Sequence, residues 1–172
     1  MESNTKSGIG SHQSHRMKND EWLTPPWILE RLGEFDLDPC APAPDRRPWP
    51  TAKKHYSFAE NGLVQPWAGR VWLNPPYGKH VAQWLNRLAQ HGNGIALIFA
   101  RTETDAFFRT VWEKADALLF VRGRLHFYDV NGIEAKSNSG APSVLIAYGG
   151  NNMTLLRNSG IPGAFVQGFE TT

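Results

Sequence analysis

An α/β fold is predicted by this sequence, with a mostly parallel sheet, helices on both faces and an antiparallel hairpin strand near the carboxyl end. Three observations carry the prediction. The middle of the chain alternates apolar runs with helix-period stretches, in the order strand, helix, strand, helix, strand. Two of the runs, IALIFA (95–100) and ALLFV (117–121), are continuously apolar, as strands covered on both faces are. An Asn131-Gly132 turn and the run SVLIAY (143–148) then give a hairpin-like return.

Taken in order, residues 1–19 lack periodicity, are rich in small polar side chains and read as a flexible arm. Thr24-Pro25-Pro26 offers an N-cap and a proline-tolerant first turn for a short helix over roughly 26–32. That helix buries Ile28, Leu29 and Leu32 and stops at Gly33. FDLDPCAP (35–42) reads as a brief strand with Phe35 and Leu37 on one side, broken by Pro39. Residues 42–56 form a proline-rich connector, and SFAENGLVQPW holds an Asn61-Gly62 turn. The strand VWL (71–73) precedes a helix over 79–90, where Val81, Trp84, Leu85 and Leu88 share one face and Gly92 ends the run. Thr104 or Asp105 caps a helix over 105–115, with Phe108, Val111 and Trp112 as its buried side. After Tyr148 only a tail remains, so one domain fills 20–172.

Composition narrows the class. With 172 residues, a mean hydropathy of −0.43 and a net charge of +2, the chain reads as a soluble domain and not a bulk polycation. No apolar stretch approaches the ~20 residues that span a bilayer, and the polar amino terminus lacks a signal-peptide core. The single cysteine, Cys40, allows no internal disulfide and fits a reducing cytoplasm. His12 and His15 have no cluster of further ligands beside them in the sequence, so no metal is expected. Two groups of basic residues stand out. Arg46, Arg47, Lys53 and Lys54 are interleaved with Trp49 and Tyr56, and Arg122, Arg124 and Lys136 form a second group. Such patches neutralise phosphates while aromatics stack on bases. A solvated loop is the plain alternative.

The most specific stretch is Asn74-Pro75-Pro76-Tyr77, directly after the strand 71–73. An asparagine amide offers an acceptor, Pro75 offers a carbonyl without a competing N–H, and proline stiffness fixes both oxygens. Two converging acceptors suit an exocyclic amino group, and Tyr77 suits the flat ring that carries it. As the amine attacks through nitrogen, the developing positive charge meets those same oxygens. A rigid strand-to-helix corner is the structural alternative. Asp38 and Asn74 each follow a strand end, where open α/β sheets bind ligands.

Leu73-Asn74-Pro75-Pro76-Tyr77-Gly78 resembles the (D/N/S)-P-P-(Y/F/W) motif of S-adenosylmethionine-dependent amino-methyltransferases. Trp22-Leu23-Thr24-Pro25-Pro26 and Phe35-Asp36-Leu37-Asp38-Pro39-Cys40-Ala41 are similar to the phage-type, Dam-like DNA N6-adenine methyltransferases, over about residues 20–150. The resemblance implies the Rossmann-like sheet of class I methyltransferases. It implies that Asp38, Pro39, Cys40 and Ala41 form the first cofactor motif and that Thr24 and Pro25 close over the methionine end of S-adenosyl-L-methionine. Asn74, the Pro75 carbonyl, Pro76 and Tyr77 would then hold a flipped-out adenine, and the methyl would pass directly from sulfonium to N6. Protection of phage DNA from restriction, in the bacterial cytoplasm, is the role this implies.

Two departures from the general fold bear on the site. The loop after Asp38 has no glycine, and no acid for the cofactor ribose is obvious; Glu60 is the candidate. Cys40 has no histidine partner and reads as core packing, not as a nucleophile. Arg101 follows a central strand, and Arg124 and His126 lie in GRLHFY, similar to a late motif of the family that lines the target pocket. DNA is thus the expected partner, with no protein partner evident. No space is left for a separate target-recognition domain, so sequence reading falls to loops and relaxed specificity is expected. Methylation of RNA bases or of a protein glutamine amide is the rival enzyme reading. A DNA-binding module without activity is the rival outside enzymes.

Overall fold

The computed structural model describes residues 21–78 and 80–172. The arm 1–19, with His12 and His15, lies outside the described residues. The described strands form one sheet in the order β2-β1-β3-β4-β6-β5-β7. These are β1 (Leu37–Asp38), β2 (Lys54–His55), β3 (Val71–Leu73), β4 (Gly94–Phe99), β5 (Ala117–Val121), β6 (Ser143–Tyr148) and β7 (Gly163–Gln167). Strands β2, β1, β3 and β4 are parallel neighbours, and β6 runs antiparallel to β4 and β5. The expected antiparallel strand is therefore present as β6, and it is inserted between β4 and β5. LHFYD makes only isolated bridges, Tyr128 to Leu23 and to Glu134.

Helices α1 (Pro26–Leu32), α2 (Val81–His91), α3 (Asp105–Phe107) and α4 (Gly150–Asn158) flank the sheet. Alternation along the strands sorts the core into two layers. Trp72, Ile95, Leu97, Leu119 and Leu145 pack with Ile28, Leu32 and Leu156 of α1 and α4. Leu73, Ala96, Ile98, Leu118 and Ile146 pack with Trp84, Leu85 and Leu88 of α2 and with Phe107 and Val111. The helix predicted over 105–115 is capped by Thr104, whose hydroxyl accepts from the Phe107 amide, and widens into a π-helical turn over Phe108–Trp112. That turn leaves Phe108 exposed, so Phe107 takes its place on the buried side beside Val111, with Trp112 half-buried.

Three further expectations are corrected. Phe35 and Leu37 pack into opposite layers, because the amides of Asp36 and Leu37 both donate to the Arg70 carbonyl, an irregularity that breaks the two-residue alternation. Residue 25, not Thr24, occupies the α1 cap position, and no side chain caps that helix. The stretch beyond Tyr148 is not a bare tail. It folds into α4 and β7, and β7 closes the edge beside β5. No helix among the described residues is long and apolar enough to cross a membrane.

Candidate active site

The chain leaves β1 toward β2 on one side and leaves β3 toward β4 on the other, so a crevice opens at the carboxyl ends of β1 and β3. Three separate stretches of sequence meet there. Asn74 donates from Nδ2 to the Trp22 carbonyl (3.0 Å) and to Thr24 Oγ1 (3.2 Å). The Cys40 thiol donates to the Asn74 carbonyl at 3.3 Å. Both protons of the Asn74 amide are thereby spent inside the protein, which fixes the orientation of the group. Its Oδ1, and the carbonyl of the buried Pro75, accept no hydrogen bond from the described residues. Thr24 is buried, with a hydroxyl that serves Asn74 and not the helix.

Asp38 is buried beneath this loop, and its carboxylate accepts from the Cys40 amide (3.1 Å) and the Thr51 hydroxyl. Burial pushes its pKa up to about 6 against the pull of those two donors and of Arg47. His55 accepts the amides of Thr51 and Ala52 at Nε2, both at 3.2 Å, which requires the neutral ring. Burial and the Arg47 charge bring its pKa down to about 4. Cys40 is held as a neutral thiol, because burial, reinforced by the Asp38 charge, raises its pKa well above the ordinary value. A thiol in that state is a weak nucleophile.

The loop after β1 lacks glycine, but a glycine reaches it from elsewhere in the chain. Asn61 adopts a positive φ of 54°, and a Cβ on Gly62 would overlap the Pro39 carbonyl. The turn 57–62 therefore seats directly on the Pro39 loop. It presents the exposed Glu60, whose carboxylate accepts from the Ser57 amide and hydroxyl and is held below its usual range by them. Tyr77 stacks on Phe99, with centroids 4.1 Å apart and planes 8° from parallel, and is 37% exposed.

The family model for DNA N-6-adenine-methyltransferase (Dam) matches residues 10–153. The chain belongs to that family. Membership gives the activity as methyl transfer from S-adenosyl-L-methionine to N6 of adenine, with DNA as substrate. No curated protein and no solved structure matches the chain. The sheet, with its parallel core and antiparallel β6, is that of a class I methyltransferase. The cofactor fits the residues present: a switch-point crevice, a loop fixed by a buried carboxylate, and the exposed Glu60 carboxylate on the turn that packs against that loop.

The other predicted residues of this Dam-family chain divide between the two ends of the sheet. Arg47 donates to the Pro42 carbonyl (3.4 Å) in the loop after β1, and its charge acts on Asp38, His55 and Glu60. Arg46 pairs with Glu21 at 2.7 Å. Lys53 is taken up by Glu34 (3.3 Å) and Asp36 (3.4 Å) where β1 and β2 begin, and Lys54 lies over the Tyr56 ring. The structure does not bring these two lysines to the crevice. Arg101, Arg124, His126 and Lys136 are exposed beyond the carboxyl ends of β4 and β5. Two contributors escaped the sequence reading. The Trp22 carbonyl carries no side-chain signature, whereas Phe99, an aromatic closing an apolar strand run, was available as a signal.

Proposed function

We propose that Asn74 Oδ1 and the Pro75 carbonyl together receive the N6 amino group of an adenine flipped out of the duplex, with Pro76 stiffening the turn and Tyr77 presenting its free face to the base. One observation carries this reading: the Asn74 amide is anchored by Trp22 and Thr24 so that only its oxygen is left to accept. N6 has two protons, and the site has two acceptors that no described residue uses. Charge building on N6 as it attacks is met by both oxygens, an electrostatic contribution that needs no strong base. Unstacking the base costs a few kcal/mol, which contacts to the flipped ring offset.

S-adenosyl-L-methionine, when bound, supplies an electrophilic methyl group. Asp38, Pro39, Cys40 and Ala41 would carry it, with Thr24 and Pro25 beside its methionine end and Glu60 toward its ribose. Arg46, Arg47, Arg101, Arg124, His126 and Lys136 would meet the DNA. One domain over 20–172 does this work in the cytoplasm of a bacterial host, with specificity read by loops and therefore short or relaxed. The test is to incubate purified protein with DNA and S-adenosyl-L-methionine and to map N6-methyladenine by long-read sequencing. Methyladenine in a short or degenerate context is expected. Methylation confined to one long site would overturn the relaxed specificity, and tritium incorporated only into RNA or protein would overturn the substrate.

A further inference from the structure

A cavity of about 300 Å³, at the small end of ligand clefts, lies beyond the carboxyl end of β5, lined by Pro25, Trp27, Arg122, Arg124, Tyr128 and Glu134 among others. Its far wall is an extended segment in which Leu125 and Phe127 enter the core while Arg124 and His126 are exposed. Among the described residues, neither arginine side chain makes a hydrogen bond or ion pair. Trp27 is 36% exposed with the Arg31 guanidinium 5.8 Å from its ring centroid, and Glu134 accepts from the Tyr128 hydroxyl at 3.0 Å and lies 3.7 Å from His126 Nδ1.

The segment 22–24 stands between this cavity and the amine-binding tetrapeptide. The Trp22 carbonyl and Thr24 hydroxyl hold Asn74, while Leu23 exchanges both backbone hydrogen bonds with Tyr128 (2.8 and 3.0 Å). The cavity thus lies on the Tyr128 side of this segment, and Asn74 is held by the residues that flank Leu23.

We infer that this cavity is a subsite for a nucleobase flanking the target adenine and that it sets sequence preference at that position. The inference rests on the target being held at Asn74, and it departs from the family resemblance, under which Arg124 and His126 would line the target pocket itself. A phosphate offers acceptors alone and would be repelled by Glu134. A base edge offers donors and acceptors together, matching a cavity lined by one carboxylate and by two guanidinium groups that no described residue engages, and Trp27 supplies an aromatic surface beside them.

The test measures methylation rates on oligonucleotides in which each neighbour of the adenine is varied in turn, and in which the selected neighbour is made abasic. The wild-type protein is expected to distinguish bases at one neighbouring position by about fivefold or more. Glu134→Gln, at a side chain 54% exposed and clear of the core, should shrink that ratio at the same position. Trp27→Ala should lower kcat/KM on intact strands and cause no further loss on the abasic one. A uniform fall across all contexts would assign the cavity to the phosphate backbone and overturn the inference, as would ratios unchanged in Glu134→Gln. If wild-type protein leaves no methyladenine in any context, the methylation reading fails first and takes this one with it.

Discussion

At the amino edge of the sheet, Arg70 donates from Nε to Asn152 (2.6 Å) and from Nη1 to the carbonyls of Leu32 (2.9 Å) and Glu34 (2.8 Å). Asn152 in turn donates to Asn93 and to the Tyr148 carbonyl, and Asp36 accepts the Arg70 amide. At the carboxyl edge of the same strands, Asn74 also spends its donors internally, yet its oxygen and the Pro75 carbonyl take no partner among the described residues. Arg122 and Arg124 are likewise without one among those residues. Both edges are polar, and they differ in where their polar groups are aimed: those at the amino edge are bound mostly to one another, although Arg70 Nη2 has no partner among the described residues. Polar groups used up within the protein hold the fold, whereas polar groups aimed and then left open are available to a substrate.

Substitutions at the two edges should therefore separate activity from stability. The largest effect is expected for Asn74→Ala, which should lower the methylation rate about 10²–10³-fold while costing less stability than the loss of Arg70, because only neutral donors are withdrawn from Trp22 and Thr24. A comparable loss of stability would mean that Asn74 is a fold residue. Arg70→Ala should do the opposite, costing about 3 kcal/mol in a denaturant titration because the Asn152 and carbonyl partners lose a charged donor. Activity per folded molecule should persist. Thr24→Val removes one of the two anchors of the Asn74 amide and should slow methylation roughly tenfold, with little change in DNA affinity.

The smallest effects concern pH, and here Asp38 and His55 oppose one another. The folded protein holds the Asp38 proton up to about pH 6, above the ordinary 3.8, so stability from that group is present at low pH and fades as pH rises through 6. His55 resists protonation until about pH 4, below its ordinary 6.5, so its contribution is present above 6.5 and fades as pH falls through 4. Wild-type stability should change little over that window. Asp38→Asn should become acid-labile between pH 6.5 and 4, and His55→Gln should gain stability on acidification. Denaturation midpoints at pH 4.5 and 7 check both signs, and identical slopes in the two variants would exclude this opposition.

Much of the fold was legible because local pattern and tertiary demand agree. The bounds of α1, the buried face of α2 ended by Gly92 at φ 71°, and the apolar runs of β4, β5 and β6 all follow from periodicity and glycine punctuation. What was misread depended on partners distant in sequence. Phe35 and Leu37 diverge because one carbonyl, on Arg70, serves two amides. Lys53 reads as part of a basic patch, yet its neighbours in space are Glu34 and Asp36. β6 slots between β4 and β5, a choice that its hydrophobicity alone leaves open because any interior position would bury it.

By itself the sequence determined the alternating α/β order, the stiff Asn74-Pro75-Pro76-Tyr77 corner and the family to which its motifs point. These are local properties, carried by side-chain period, proline geometry and short-range order along the chain. Only the tertiary structure decided that Thr24 and Trp22 would orient the Asn74 amide, that Gly62 would seat a turn on Pro39, and that Phe99 would back Tyr77. Those relations join residues some 20 to 50 positions apart. They exist because the crossovers bring the carboxyl ends of β1, β3 and β4 side by side, and hydrogen-bond direction and steric exclusion act only once that closeness is made.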